Sequence, residues 1–391
     1  MTIGETNCHV CDGDCSEFLN FSDLRQVASD CTPYKRGGRL IICQNCGIVQ
    51  RPLSVDWQKA TREIYSNYQL FAQGIEQLEE SIFHSETGTK DSRSQQMISW
   101  LSKVIKLPLQ GSLLEIGCGN GGFLASFSNH RSQWYLTGLD IADNGKNAID
   151  KIPNAQFING SIEILNRALK YDLVVLSHTL EHIPYPLQLL QKIQGHLSEN
   201  GLLFIEVPSL ESAPFDILVA DHCSFFTAKT LSYLVQKSGF EIVSIAVGSL
   251  PKEISLVARR QTNTIHIIDD KCSFDSNQER VLKNLQFLNS LREQAWKFRG
   301  RTNNLGIFGS SISSSWLFGE FEEVSFFVDE NPQRIGNYHL GLPIVSPTTL
   351  NRNNIVLMPF RRDIAEAIAD RLSTELDLFD IFILPIDDCE I

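Results

Sequence analysis

Three groups of residues in this chain have types and spacings that do chemistry. The first is a pair of C-x2-C motifs, Cys8-His-Val-Cys11 and Cys43-Gln-Asn-Cys46. Each pair can grip one side of a tetrahedral ion, and a second pair completes the sphere. Four thiolates leave no open position for water, so Zn2+ at Cys8, Cys11, Cys43 and Cys46 would be structural. In a module with little core of its own, that ion would supply much of the folding energy. Gly47 follows the second pair, where a tight turn calls for glycine. His9, Cys15 and Cys31 are the substitutes if one of these thiols does not serve.

The second group is Leu113-Leu-Glu-Ile-Gly-Cys-Gly-Asn-Gly-Gly122. An apolar run ends in a glycine-rich turn, and Gly117, Gly119 and Gly121 let a ligand come close to the backbone. The pattern is G-x-G-x-G behind an acid, not the G-x-G-x-x-G that cradles a pyrophosphate. A ligand without phosphates, such as S-adenosylmethionine, suits Glu115 and the turn carbonyls better than a helix N-terminus. The third group is histidine-centred: His178-Thr-Leu-Glu-His-Ile183 and Val219-Ala-Asp-His-Cys-Ser-Phe-Phe226. An imidazole titrates near about pH 6.5, close to working pH, so His222 backed by Asp221 is suited to act as a base, with His182 the alternative.

The elements that must position these groups alternate strand and helix. Strand 113–116 precedes the glycines. Strand 135–140 ends in Asp140, placed to accept both ribose hydroxyls. Strand 155–159 ends at Gly160 and Ser161, where an adenine edge would lie, and strand 172–177 ends at Ser177. Helix 187–197, strand 202–207 and helix 228–238 continue the pattern. Strands 242–247 and 254–258 are joined by so short a turn that they must pair antiparallel. Upstream, 56–83 reads as helical and carries Trp57, Tyr65, Tyr68 and Phe71. Downstream, helix 277–298 presents Val281, Leu285, Leu288 and Leu291 on one face. Strands 305–309, 324–329 and 355–358 then form a second α/β unit.

At 391 residues the chain is long for one core, so two or three domains are expected. The net charge of −12 argues against nucleic acid as the main partner. No apolar run approaches the roughly 18–20 residues of a membrane span. Met1-Thr-Ile-Gly-Glu5 lacks the features of a secretory signal, so a cytoplasmic location is expected.

Together, E-I-G-C-G-N-G, the strand-end Asp140, the L-E-H-I segment and the closing hairpin resemble class I S-adenosylmethionine-dependent methyltransferases. The order of a four-cysteine knuckle, this domain and a C-terminal α/β domain resembles the sugar C-methyltransferases that act on nucleotide-linked keto-deoxysugars. Asp329-Glu-Asn-Pro-Gln-Arg-Ile-Gly336 is similar to that family's D-x-x-P-x-K-x-G, with Arg334 for Lys. The resemblance implies a zinc module at 1–75, a methyltransferase domain at 76–262 and a Rossmann-like domain at 275–391 that helps hold the nucleotide. Arg361 and Arg362 are candidates for its phosphates. It also implies that Tyr65 or Tyr68 reaches over the active site.

The chain departs from the family at its catalytic motifs. Glu206-Val-Pro-Ser209 loses the Tyr of E-x-P-Y. In the Y-H-E-H-x-S-Y-F stretch, Asp221 replaces Glu and Val219 and Ala220 replace Tyr and His. Cofactor contacts are expected from Glu115, Gly117, Gly119, Asp140, Gly160, Ser161 and Ser177. The partner is expected to be a small molecule, and the chain a monomer or loose homodimer. Methylation of oxygen or nitrogen on a related metabolite, and a non-catalytic scaffold, are the alternatives.

Overall fold

Continuous apolar runs such as Leu173-Val-Val-Leu176 and Leu202-Leu-Phe-Ile205 dictate a sheet covered on both faces. The computed structural model has this arrangement and describes residues 7–18, 21, 23–66, 81–83, 90–261, 272–300, 304–378 and 380–385. The chain begins with β1 (Cys15–Phe18), the hairpin β2 (Arg25–Val27) and β3 (Pro33–Arg36), then β4 (Leu40–Cys43) and β5 (Val49–Gln50). Helix α1 (Val55–Ser66) follows, then a short antiparallel pair, β6 (Ser81–Phe83) with β7 (Lys90–Ser92). Of the helix expected over 56–83, the part up to Ser66 is helical and the last three residues are a strand. Tyr68 and Phe71 lie outside the described residues.

Helix α2 (Arg93–Val104) starts at a capping box in which Ser92 and Gln95 each satisfy the other's backbone N–H. Next come β8 (Gly111–Ile116), α3 (Gly122–His130), β9 (Trp134–Asp140), α4 (Lys146–Ile149) and β10 (Ala155–Asn159). They are followed by β11 (Tyr171–Ser177), α5 (Pro186–Gln194), β12 (Leu197–Pro208), β13 (Ser224–Phe225) and α6 (Ala228–Lys237). The hairpin β14 (Phe240–Val247) and β15 (Glu253–Arg260) closes this region. Thr227 caps α6 through the Thr230 N–H, so His222 stands five residues ahead of that cap and not at it.

The central sheet runs β10-β9-β8-β11-β12-β15-β14. It is parallel except for β15, which lies antiparallel to both β12 and β14. Leu114, Ile116, Val174, Leu176, Leu203 and Ile205 face α5 and α6 through Leu190, Ile193, Leu231 and Leu234. Leu113, Leu173, Val175 and Phe204 face α2 and α3 through Met97, Leu101, Leu124 and Phe127. Each such burial contributes roughly 1.5–3 kcal/mol. The alternation fixes the register, so the strand ends, and the residues after them, are fixed too.

Beyond the sheet, α7 (Cys272–Trp296) leads to β16 (Leu305–Phe308), α8 (Ile312–Phe321), β17 (Phe326–Val328), β18 (Tyr338–His339), β19 (Leu342–Val345), β20 (Ile355–Leu357), α9 (Arg362–Leu376) and β21 (Phe382–Ile383). These strands form a second sheet in the order β18-β19-β17-β16-β20-β21. The α7 residues expected to dock do so: Val281, Leu285, Leu288 and Leu291 share a core with Trp316, Leu317 and the N-terminal Leu40 and Val49. Among the described residues no helix is long and apolar enough to cross a membrane.

Candidate active site

The carboxyl edge of the central sheet gathers the glycine turn and Asp140. Gly117, Gly119 and Gly121 all have positive φ, at 73°, 51° and 82°. At Gly117 a Cβ would stand 2.3 Å from Thr179 Oγ1, so only glycine fits there. At Gly119 the space a Cβ would take is open, and the left-handed backbone alone selects glycine. Asp140 Oδ2 accepts from the Gly119 N–H and Oδ1 from the Ala142 N–H, both at 2.9 Å. The carboxylate is thereby locked beside the turn with lone pairs to spare. Gly160 N–H donates to Asp140 O at 2.7 Å, which brings Gly160 and Ser161 to the same edge. Glu115 is buried at the end of β8. Ser177 turns its hydroxyl toward Met97 Sδ at 3.7 Å.

The histidines occupy the neighbouring part of the edge, after β11. His182 Nδ1 lies 3.3 Å from Asp221 Oδ2 and 3.0 Å from Tyr65 Oη. His222 Nδ1 lies 2.7 Å from Asp216 Oδ1. The expected pairing of His222 with Asp221 is therefore not the one formed. Asp221 and His222 lie in a turn closed by the His222 N–H on the Val219 carbonyl at 3.3 Å, and each carboxylate serves a different ring. The two rings meet edge to face, with centroids 4.4 Å apart.

Asp221 is fully buried and accepts from Ser29 N–H at 2.9 Å and Ser29 Oγ–H at 2.5 Å. Burial pushes its pKa up, but the His182 hydrogen bond and the charges of both imidazoles win and hold it well below the ordinary carboxylate range. His182 answers in the opposite sense. Burial lowers its pKa, and Asp221 and Glu181 raise it by more. Arg51, also buried, donates to the Ile217 and Val219 carbonyls and so pins the backbone that carries Asp221 and His222. Burial lowers its own pKa to about 10, against the pull of Asp221 and Asp216.

A second cluster adjoins the first through Glu181. His178, with φ of 47°, places Nδ1 at 3.1 Å from Glu181 Oε1 and Nε2 at 3.3 Å from Glu253 Oε2. Glu253 is also bonded to Arg93 at the start of α2. Burial and Arg93 depress the His178 pKa, yet Glu253 and Glu181 outweigh them and hold it at about 9. Glu206, at the end of β12, is fully buried and neither of its oxygens has a hydrogen-bond partner. Burial, then the charge of Glu253, raise it to about 7. Sequence reasoning did not single out Asp216, Ser29, Arg51, Arg93 or Glu253. Glu206 was noted only as part of a motif, and its position at a strand end behind an apolar run was the available signal.

Residues 90–245 match the sequence family described as a methyltransferase domain. Strand order and closing hairpin agree with it, and the central region has the class I methyltransferase fold. The trans-aconitate 2-methyltransferase of Deinococcus radiodurans is 26% identical to this chain over 166 residues, which are 41% of this chain and 60% of that protein. That of Agrobacterium fabrum is 25% identical over 115 residues, 29% of this chain and 45% of its own. The chain spans 60% or less of the length of these curated relatives. Among solved structures, the mitomycin 7-O-methyltransferase MmcR is similar at 13% identity and a TM-score of 0.41, over 52% of this chain and 60% of that one. Human N-acetylserotonin methyltransferase is similar at 15% identity and a TM-score of 0.38, over 43% and 52%.

The four knuckle cysteines, which share a core with the central sheet, also come together. Cys8 and Cys46 sulfurs are 3.6 Å apart, and those of Cys11 and Cys43 are 3.3 Å apart. All four lie within 4.8 Å of one another. Tetrahedral zinc with Zn–S of about 2.3 Å sets sulfurs about 3.8 Å apart, so the set fits the ion. Val10 and Cys11 N–H groups point at Cys8 Sγ, and Asn45 and Cys46 N–H groups at Cys43 Sγ, at 3.4–3.5 Å. Such donors stabilise thiolates. His9 turns its Nε2 to the Arg51 carbonyl instead. Arg361 and Arg362 pair with Asp363 and Glu366 of their own helix, and Arg334 with Asp329.

Proposed function

We propose that this chain is an S-adenosylmethionine-dependent methyltransferase that methylates the carbon beside the ketone of a nucleotide-linked deoxysugar. The reading is carried by two imidazole–carboxylate pairs, His182–Asp221 and His222–Asp216, which face each other on the edge that holds the glycine turn. S-adenosylmethionine supplies a sulfonium methyl with a good leaving group. What remains for the chain is to align the acceptor, exclude water and remove a proton. Glu115, Gly117, Gly119, Asp140, Gly160, Ser161 and Ser177 are assigned to the cofactor, with Asp140 on the ribose hydroxyls.

Each carboxylate holds its imidazole by Nδ1, so Nε2 is the atom that works on the acceptor, directly or through what it binds. Tyr65 joins His182 from α1 and would cover the acceptor. Zinc at Cys8, Cys11, Cys43 and Cys46 is assigned a structural role. The division into 1–75, 76–262 and 275–391, with the last part on the nucleotide, belongs to the same reading.

The curated relatives are named for trans-aconitate, which suggests a small carboxylate as the acceptor in a second reading. A carboxylate is already ionised at neutral pH and leaves two such imidazoles without a task. The buried pairs favour an acceptor that must lose a proton. The test is solvent exchange in D2O with nucleotide-linked keto-deoxysugars and no methyl donor. Exchange at the α-carbon in the wild type, lost in His182→Gln, is expected. Methylation without exchange would move the reading to oxygen or nitrogen.

A further inference from the structure

We propose that Glu181, His182 and His222 form a second metal site, which takes one divalent first-row transition ion and offers its open positions to oxygen atoms of the acceptor. The inference rests on the reading that these residues face the acceptor. One donor atom from each of the three lies within 4.8 Å of the others, so small side-chain shifts bring them onto a common ion. Each imidazole has its Nδ1 against a buried carboxylate, Asp221 at 3.3 Å and Asp216 at 2.7 Å. That contact places the ring proton on Nδ1 and leaves the Nε2 lone pair as the donor. A carboxylate behind each histidine is the arrangement that orients metal-binding imidazoles and makes them more basic.

Glu181 gives an independent reason. It is wholly buried, and neither of its oxygens has a hydrogen-bond partner. His178 stands at 3.1 Å from Oε1 as an ion-pair partner, and Oε2 has no hydrogen-bond partner. A buried carboxylate oxygen left so costs on the order of 1–3 kcal/mol, more when charged, and a coordinated cation removes that cost. The backbone is fixed as a metal site requires. Cys223 N–H donates to the Glu181 carbonyl at 2.8 Å, and Arg51 pins the loop before His222. Loop and post-β11 segment are thus held against each other.

Two imidazoles and one carboxylate select zinc, manganese, iron or cobalt over magnesium or calcium, which prefer oxygen alone. Three protein ligands leave room for one or more substrate oxygens. There the ion would polarise a ketone or hydroxyl oxygen and lower the energy of the deprotonated acceptor. The donor set has no thiolate, so it is chemically distinct from the four-cysteine knuckle.

Mn2+ separates the two sites, because thiolate-bound zinc is not displaced by it. The full chain, dialysed free of loosely bound ions, is titrated with Mn2+ and followed by electron spin resonance. The same samples are titrated with S-adenosylhomocysteine. One Mn2+ per chain is expected in the wild type, with spin-echo couplings to two imidazole nitrogens. At least tenfold weaker binding is expected in His222→Gln and Glu181→Gln with S-adenosylhomocysteine binding kept. Absence of Mn2+ binding in a wild type that binds S-adenosylhomocysteine overturns the metal site and spares the methyltransferase reading. Unchanged metal binding in both variants also overturns it. Where the variants fail to fold, the wild-type couplings decide: two imidazole nitrogens support the site, and none refutes it.

Discussion

His182, not its neighbour in sequence, receives Asp221, and this decides what mutations at the site should do. The imidazole leans on an ionised, fully buried carboxylate that is itself held by Ser29. Asp221→Asn keeps the shape and removes the charge. We expect kcat to fall about 10- to 100-fold with little change in KM, the usual size of an effect exerted through a ligand or base. Steady-state kinetics at saturating cofactor checks this, and an unchanged kcat would detach Asp221 from the chemistry. Glu206 makes a second prediction, this time for stability. Its pKa in the folded protein is raised to about 7, above the ordinary carboxylate value. The folded state therefore binds that proton more tightly than the unfolded state does. The contribution is full below the ordinary carboxylate value and is lost as pH rises through about 7. Urea midpoints at pH 5 and pH 8 should accordingly differ less in Glu206→Gln than in the wild type, and an equal difference would count against the raised pKa. Residue types were legible in the sequence, but pairings were not. Asp221-His222 looked like a dyad because the residues are adjacent, while the true partners are His182 from the 180–182 turn after β11 and Asp216 from the 216–218 turn.

At the scale of elements, short apolar runs alternating with helical segments made most of the central sheet readable. Strand 155–159 matches β10 end for end, and the closing hairpin has the antiparallel pairing its short turn demanded. This signal fails where an element is too short to show a run or a period. β13 has two residues, yet it pairs with β5 and joins the knuckle's four-stranded sheet to the segment carrying His222. No periodicity within Ser224–Phe225 announces that partner. The over-long helix expected at 56–83 has a similar cause, since aromatic residues among polar ones fit a helix face and a strand equally well. The β5–β13 pairing makes the knuckle a support for the candidate site. Cys43→Ser should therefore speed amide exchange at Phe225 and Val49, while exchange in β8 and β11 stays slow. Equal exchange in variant and wild type would mean that the knuckle holds no part of the site.

Over the whole molecule, the first sheet, the central sheet and the C-terminal sheet meet around one seam. Arg51 follows β5 and pins the loop before His222, Asn277 on α7 donates to the Gly47 carbonyl at 2.8 Å, and Glu320 on α8 bonds Arg36 on β3. A chain of net charge −12 still concentrates buried cationic groups here, Arg51 among Asp216 and Asp221, because the carboxylates that orient the histidines must be balanced. This seam was not visible in the sequence, as its contacts span more than two hundred residues. The glycine turn and Asp140 were visible, because both are local motifs at strand ends. They also carry the central claim, that this edge binds S-adenosylmethionine. The most direct test is calorimetric titration of the full chain with S-adenosylhomocysteine, repeated on Asp140→Ala. Micromolar binding in the wild type and its loss in the variant is the predicted result. No heat of binding in the folded wild type would contradict the account.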